Sequence, residues 1–397
     1  MRTILVFAPY VPHPRSHGGS IRSRVLLDAL RDEGAVHLAV PIVLADDRLR
    51  AAELAREAAI EVHELPGRGL ENRGMAAKLG CWLRGQSELL ARRWGAAGSV
   101  VHRLAQQLRP DLLVADSSFV LPVLPPHPAL LLHLHNLEHS VFARDDGAAR
   151  PMRARLARAV EARLVRAAER RAVQRARCTI TVSDAERAAA LAMAPGAHVV
   201  CVPNTVDVER LSPLPAAPTS GPVRLLFVGA MDYPPNLEAV RELVQQHLPA
   251  LRRAFPGLVV RLVGRDPAGQ LAAFRGVEGV EVVGTTDDLI PHYACSHAVY
   301  LPIRSGGGTR IKILEAWALG RPVLSTAVGA EAVAAQEGVH WRRFETPDDG
   351  VRVLRAVLAD GGATMTRAAR ELVAQRFTHA TAIAAIRAAV HSSFPRR

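Results

Sequence analysis

Along the chain, short and nearly unbroken apolar runs alternate with longer segments that are apolar every third or fourth position. The first run, residues 3–8, leads into a loop holding Pro9, Pro12, Pro14 and Gly18-Gly19. Ile21, Val25, Leu26, Ala29 and Leu30 then fall on one helical face, which Gly34 is expected to close. Runs at 36–40, 112–115, 129–135 and 178–182 predict further buried strands with helices between them. A strand, a glycine loop, a helix and a second strand open a parallel α/β sheet. The pattern stops at residues 203–222, where Pro203, Pro213, Pro215, Pro218 and Pro222 stand among Ser, Thr and Gly, the composition of a linker. It restarts at 223–229, 259–264 and 280–284, each run ending in glycine, and continues at 299–302 and 322–325. The expected architecture is therefore α/β, with two doubly wound parallel-sheet domains. The first takes residues 1–202, the linker 203–222 and the second 223–375, with the terminal segment 376–397 packing back on the first domain.

Composition narrows the function classes. Of 397 residues, 49% are apolar, enough for a full core in each half and against disorder. No run of 18 apolar, uncharged residues occurs to span a bilayer. The segment after Met1-Arg2-Thr3 has too short an apolar core for a secretory signal, so cytoplasmic residence is expected. Cys81, Cys178, Cys201 and Cys295 lack ligand or framework spacing and read as reduced thiols; no metal site is expected. The formal net charge is +12, and ten arginines fall between Arg150 and Arg177 against Glu161 and Glu169 alone. That stretch reads either as a solvated arginine-rich helix or as a docking surface for an anionic membrane, the inner membrane face. Nucleic acid is not an expected partner, since no helix-turn-helix or zinc pattern accompanies the arginines.

One contiguous segment carries the chemistry: Gly306-Gly307-Gly308-Thr309-Arg310-Ile311-Lys312-Ile313-Leu314-Glu315. Three glycines let backbone N–H groups turn toward an anion, Thr309 is the expected N-cap, and a helix follows until Gly320. Arg310 and Lys312 fall in the first helical turn, where the macrodipole favours acids and disfavours cations. A bound pyrophosphate reconciles that placement. Glu315, further along the helix, then lies within reach of ribose hydroxyls. Walker A and the dinucleotide GxGxxG are absent from the positions they would need.

Together with His17-Gly18-Gly19, Val202-Pro203-Asn204-Thr205-Val206-Asp207, Phe227-Val228-Gly229 and Gly284-Thr285-Thr286-Asp287-Asp288-Leu289, this segment resembles glycosyltransferase family 4 (glycosyl transferases group 1). The resemblance runs over nearly the whole chain. It implies the GT-B fold, two Rossmann-like domains facing a central cleft, with the donor on the second and the acceptor on the first. It further implies a hexosyltransferase (EC 2.4) that uses a UDP-, GDP- or ADP-sugar as substrate, retains anomeric configuration, and needs neither metal nor cofactor. The acceptor would be a glycan, lipid-linked or small molecule, as in polysaccharide biosynthesis. Glu315 matches the second glutamate of the family's E-x7-E motif, whereas Gly307 stands where the first belongs. The Arg/Lys pair usual after the second domain's first strand is replaced by Gly229-Ala230-Met231-Asp232-Tyr233-Pro234-Pro235-Asn236, leaving Arg310 and Lys312 to carry the pyrophosphate charge. Gly18, Gly19, Gly229, Gly306, Gly307, Gly308 and Thr309 are expected around the phosphates, and Asp288 and Leu289 beside the base. His135 matches a histidine that meets the donor sugar; Asp116, Glu138 and His139 are further candidates. Two alternatives stay open: a nucleotide-sugar 2-epimerase, and a non-catalytic nucleotide-sugar-binding scaffold.

Overall fold

The computed structural model describes residues 2–12, 18–43, 45–67, 74–92, 94, 97–144, 152–217, 220–306, 310–331 and 333–395. The chain divides into two compact units, Met1–Pro203 with Ala382–Arg397, and Asn204–Thr381.

The first unit holds β1 (Arg2–Phe7), β2 (Gly34–Ile42), β3 (Glu61–Pro66), β4 (Leu112–Asp116), β5 (Leu130–His133), β6 (Cys178–Thr181) and β7 (Val199–Cys201). They form one parallel sheet in the order β3-β2-β1-β4-β5-β6-β7. Both faces are covered by helices, so the central strands β1 and β4 read as apolar without alternation and are buried from end to end or nearly so. The edge strand β3 reads Glu-Val-His-Glu-Leu-Pro, charged and half-exposed, which is why hydrophobic periodicity passes over it. The helix Gly18–Leu30 follows β1, and Gly34 begins β2 rather than closing that helix. The helix His379–Ser393 brings Arg387 onto the Ala29 carbonyl and Asp32, and His391 to 2.7 Å from Glu33.

The second unit is a six-stranded parallel sheet of β8 (Arg224–Val228), β9 (Val259–Val263), β10 (Val280–Gly284), β11 (Ala298–Leu301), β12 (Val323–Ser325) and β13 (Arg342–Arg343), ordered β10-β9-β8-β11-β12-β13. The proline-rich stretch is bonded to this unit. Leu214 donates its amide to the Leu319 carbonyl, the Arg321 guanidinium donates to the Pro215 carbonyl, and Val206 pairs with Thr378.

Strand order reverses between β1 and β4 in one sheet and between β8 and β11 in the other. At such a switch the flanking connections leave in opposite directions and open a crevice beyond the carboxyl ends of the strands, where open α/β sheets bind ligands. None of the described helices is long and apolar enough to cross a membrane.

Candidate active site

In the second unit the switch point is lined by the turn after β8 and by the segment between β11 and the helix Ile311–Ala318. Gly229, which follows β8, donates its amide to the Val263 carbonyl at 3.0 Å. A Cβ there would stand 2.8 Å from the Asn236 side chain and 2.9 Å from Lys312 Nζ, so glycine is what lets both groups close over the strand end. Asn236 donates from Nδ2 to the Ala230 carbonyl at 2.8 Å and accepts from Lys312 Nζ at 2.8 Å. The same ammonium lies 4.7 Å from the centre of the Phe227 ring. Gly306 takes φ +96°, and a Cβ on it would meet the Tyr233 hydroxyl at 2.5 Å.

The helix begins at Ile311 with Arg310 at the N-cap, φ −78° and ψ 89°, and no side chain caps it. No acidic residue stands in its first turn. Arg310 is buried and donates to the Ser305 carbonyl at 3.0 Å. Burial, and then the neighbouring Arg310 charge, push the Lys312 ammonium down to about 7. Two cations and a positive helix terminus thus converge on one crevice, and the lysine yields its proton more readily than water would allow. Glu315 sits one turn deeper and accepts the Tyr293 hydroxyl at 3.2 Å, while the same hydroxyl reaches the Lys312 carbonyl at 3.3 Å. Burial raises the Glu315 carboxyl, against the pull of Tyr293 and Lys312.

In the first unit, Asp116 ends β4 and gathers a buried network. Its Oδ1 accepts from His133 Nδ1 and His135 Nε2, each at 2.7 Å, and its Oδ2 accepts from the Ser23 hydroxyl. Burial opposes ionisation of Asp116, but the two imidazoles hold its carboxyl well below the usual carboxylate range. A carboxylate can only accept, so both rings present N–H to it and His135 Nδ1 accepts the Tyr10 hydroxyl, 2.9 Å away. Burial and the Arg22 guanidinium lower His133 to about 3, keeping it neutral. Arg22 itself is spent on the carbonyls of Leu134, Val202 and Thr181. Ser117, with φ 95°, follows Asp116 in strained backbone. Glu138 is buried, and burial followed by the Glu169 charge lifts its carboxyl to about 8. His139 is held by Glu169 at 2.6 Å.

Of the residues expected from sequence, the fold brings Gly229, Gly306, Arg310, Lys312 and Glu315 to one switch point. His135 stands at the other, beside the first turn of the helix that begins at Gly18 and Gly19. Asp288 and Leu289 follow β10. Asp288 is exposed and accepts the Ile290 amide at 3.0 Å, and Leu289 leads into the helix Ile290–Ala294 that carries Tyr293. Gly307, Gly308 and Thr309, with His17, lie outside the described residues. The described N-cap is Arg310, so Lys312 is the second helical residue. Asn236, Tyr293 and Tyr10 do not emerge from sequence reasoning. Asn236 stands in the Tyr-Pro-Pro-Asn string that departs from the resemblance, and that departure was the available signal.

A family model described as glycosyl transferases group 1 matches residues 222–360, and one described as glycosyltransferase family 4 matches residues 49–210. No curated protein matches the chain in sequence. Among solved structures the chain is similar to sucrose-phosphate synthase from Thermosynechococcus elongatus, at 16% identity and TM-score 0.73 over 99% of each chain. It is similar to HepE of Anabaena, solved with UDP and glucose, at 16% identity and TM-score 0.65 over 99% of this chain and 100% of the other. It is also similar to a TarM mutant of S. aureus, solved with fondaparinux, alpha-GlcNAc-glycerol and UDP, at 9% identity and TM-score 0.67 over the full length of both. At these identities the likeness establishes the fold, the GT-B arrangement of two parallel-sheet α/β domains.

Proposed function

The chain belongs to the family 4, group 1 glycosyltransferases of GT-B fold, and from that premise we propose that its second unit holds a nucleoside-diphosphate sugar, a UDP-sugar first of all. The observation that carries this reading is the convergence of Arg310 and Lys312 on an acid-free helix N-terminus at the sheet's switch point. Without a ligand, crowding by burial and Arg310 is relieved by Lys312 giving up its proton readily, and a diphosphate lets both groups carry their charge. Glu315, held by Tyr293, accepts the ribose hydroxyls. The base stacks near Asp288 and Leu289. HepE and TarM, both solved with UDP, support the choice of base.

Transfer breaks the bond between the anomeric carbon and the diphosphate oxygen and forms one to the acceptor hydroxyl oxygen. The acceptor hydroxyl attacks from the face the diphosphate leaves, which retains configuration, and its proton passes to the departing phosphate, so no dedicated carboxylate base is required. Arg310 and Lys312 stabilise the charge that develops on the leaving group. They do so without a metal. In the first unit His135 is the sugar- or acceptor-facing group, its Nδ1 exchanging the Tyr10 hydroxyl for a substrate hydroxyl. The acceptor is a glycan or lipid-linked saccharide.

The test is a binding and turnover screen of UDP-, GDP- and ADP-sugars. One nucleotide series should raise the unfolding temperature and be hydrolysed slowly without acceptor, releasing the diphosphate. Binding without turnover under any acceptor would instead favour the scaffold reading.

Docking at an anionic membrane face is part of the same proposal. In the helix Met152–Arg175, Met152, Leu156, Arg163, Arg166 and Arg170 recur at helical spacing on one stripe, and Met152 and Leu156 are 75% and 66% exposed. Apolar tips beside arginines suit a lipid interface. The protein should sediment with phosphatidylglycerol vesicles at low salt and be released by high salt; no sedimentation would remove this part.

A further inference from the structure

Two clusters of described residues place three metal-ligating side chains together, and they differ in kind. In the cluster at Asp116, one carboxylate oxygen takes an N–H from each imidazole and the other takes the Ser23 hydroxyl, beside the buried Arg22 guanidinium. Its ring nitrogens face the carboxylate with protons, and a cation is already there.

The second cluster is His37, Glu61 and His63. β2 and β3 are parallel neighbours in a register that sets His37 against Glu61 and Ala39 against His63. Alternation along each strand then puts all three side chains on one face of the sheet, at its outer edge. His37 Nδ1 lies 3.1 Å from His63 Nε2 and 3.2 Å from Glu61 Oε2, and His63 Nε2 lies 3.5 Å from Glu61 Oε1. Four-coordinate zinc with bonds of about 2.0–2.1 Å needs donor atoms about 3.3 Å apart, the edge of the tetrahedron. The His37–His63 separation is close to that value, and each imidazole has one of the two Glu61 oxygens near it, so a bound ion needs only to draw one of those oxygens in as its third donor. The imidazoles are mostly buried, with side chains 14% and 20% exposed, while Glu61 is 63% exposed and leaves the ion a path in from solvent.

We propose that His37, Glu61 and His63 form a binding site for a zinc-class divalent ion that clips the edge strand β3 to β2. Two imidazoles and a carboxylate suit zinc and its first-row neighbours better than magnesium or calcium, which take oxygen donors. With three protein ligands, the fourth position is left to water. The site lies in the first unit and takes no part in holding the donor, so it stands or falls apart from the proposed transfer.

The experiment titrates the full chain at pH 7.5 with zinc by calorimetry and with cobalt(II) by visible absorption. The expected result is one tight equivalent, the intense visible bands of four-coordinate cobalt, and a raised unfolding temperature. His37→Gln and His63→Gln should each weaken that equivalent at least about tenfold, and the double variant should lose it. Glu61→Gln, conservative and at an exposed position, should weaken it while keeping the metal-free unfolding temperature, which separates ligation from folding. A wild-type chain that takes up no equivalent overturns the proposal. So does an equivalent that survives His37→Gln/His63→Gln, or one that disappears in Asp116→Asn instead.

Discussion

Replacing Lys312 by methionine should weaken nucleoside-diphosphate binding about a hundredfold or more and lower kcat with a saturating donor by about 10²–10³, while making the ligand-free protein more stable. The two effects have opposite signs because one group causes both. In the ligand-free fold Lys312 is packed against Phe227 and Asn236 and crowded by Arg310, and its ammonium falls to about 7 from an ordinary 10.5. Between those two values the unfolded chain binds the proton that the folded chain has released, so stability rises with pH across that window and is lowest below it, where the folded lysine must carry its charge. Methionine fills a similar volume without the charge. The stability of Lys312→Met should therefore be higher below pH 7 and lose that rise between about pH 7 and 10.5. Denaturant unfolding at several pH values, set beside diphosphate titrations, checks both halves.

Glu315→Gln should weaken donor binding about tenfold or more, the worth of hydrogen bonds from ribose hydroxyls to a charged acceptor, and Glu315→Ala should do so more strongly. The fold should tolerate either change. Tyr293, fully buried, keeps a partner in the Lys312 carbonyl when the carboxylate is gone. Burial raises the Glu315 carboxyl, so between its unfolded and folded values the folded chain binds more protons, and ionising the group lowers stability as pH rises. Glutamine should remove that dependence. The wild-type donor affinity should fall in acid as the carboxylate is protonated, and that acid limb should be missing from Glu315→Gln. Titrations with UDP and with uracil nucleotides lacking the ribose 2′-hydroxyl sharpen the assignment: the variant should discriminate between them far less than the wild type.

The sheets were legible wherever strands are buried on both faces. β1, β4, β8 and β11 carry unbroken apolar runs that no solvent-facing residue interrupts. β3 alternates charge with apolar residues at an edge, and β7 and β13 run for three and two residues. Such strands are set by their neighbours rather than by their own composition. The anion crevice was legible for a local reason: Arg310, Lys312 and Glu315 follow one another along one helix, and cations at its start contradict the dipole. Asn236 and Tyr293 come from other elements, the helices that follow β8 and β10, and only the folded sheet brings them to that helix. Asp116, His133 and His135 lie 17 and 19 positions apart, and their union depends on β4 pairing with β5 in a register that sets Asp116 beside His133. Sequence presents them as separate candidates because nothing local ties them together.

Donor binding should draw a proton onto the protein. Calorimetric titration of UDP-glucose, or of whichever nucleotide-sugar binds, is run at pH 8 in buffers of differing ionisation enthalpy. A diphosphate that lands between Arg310 and Lys312 must recharge the lysine, so the wild type should take up close to about one proton. Lys312→Met should take up none. Tight binding with no proton uptake, or uptake that persists in Lys312→Met, would mean that the diphosphate does not sit at Lys312.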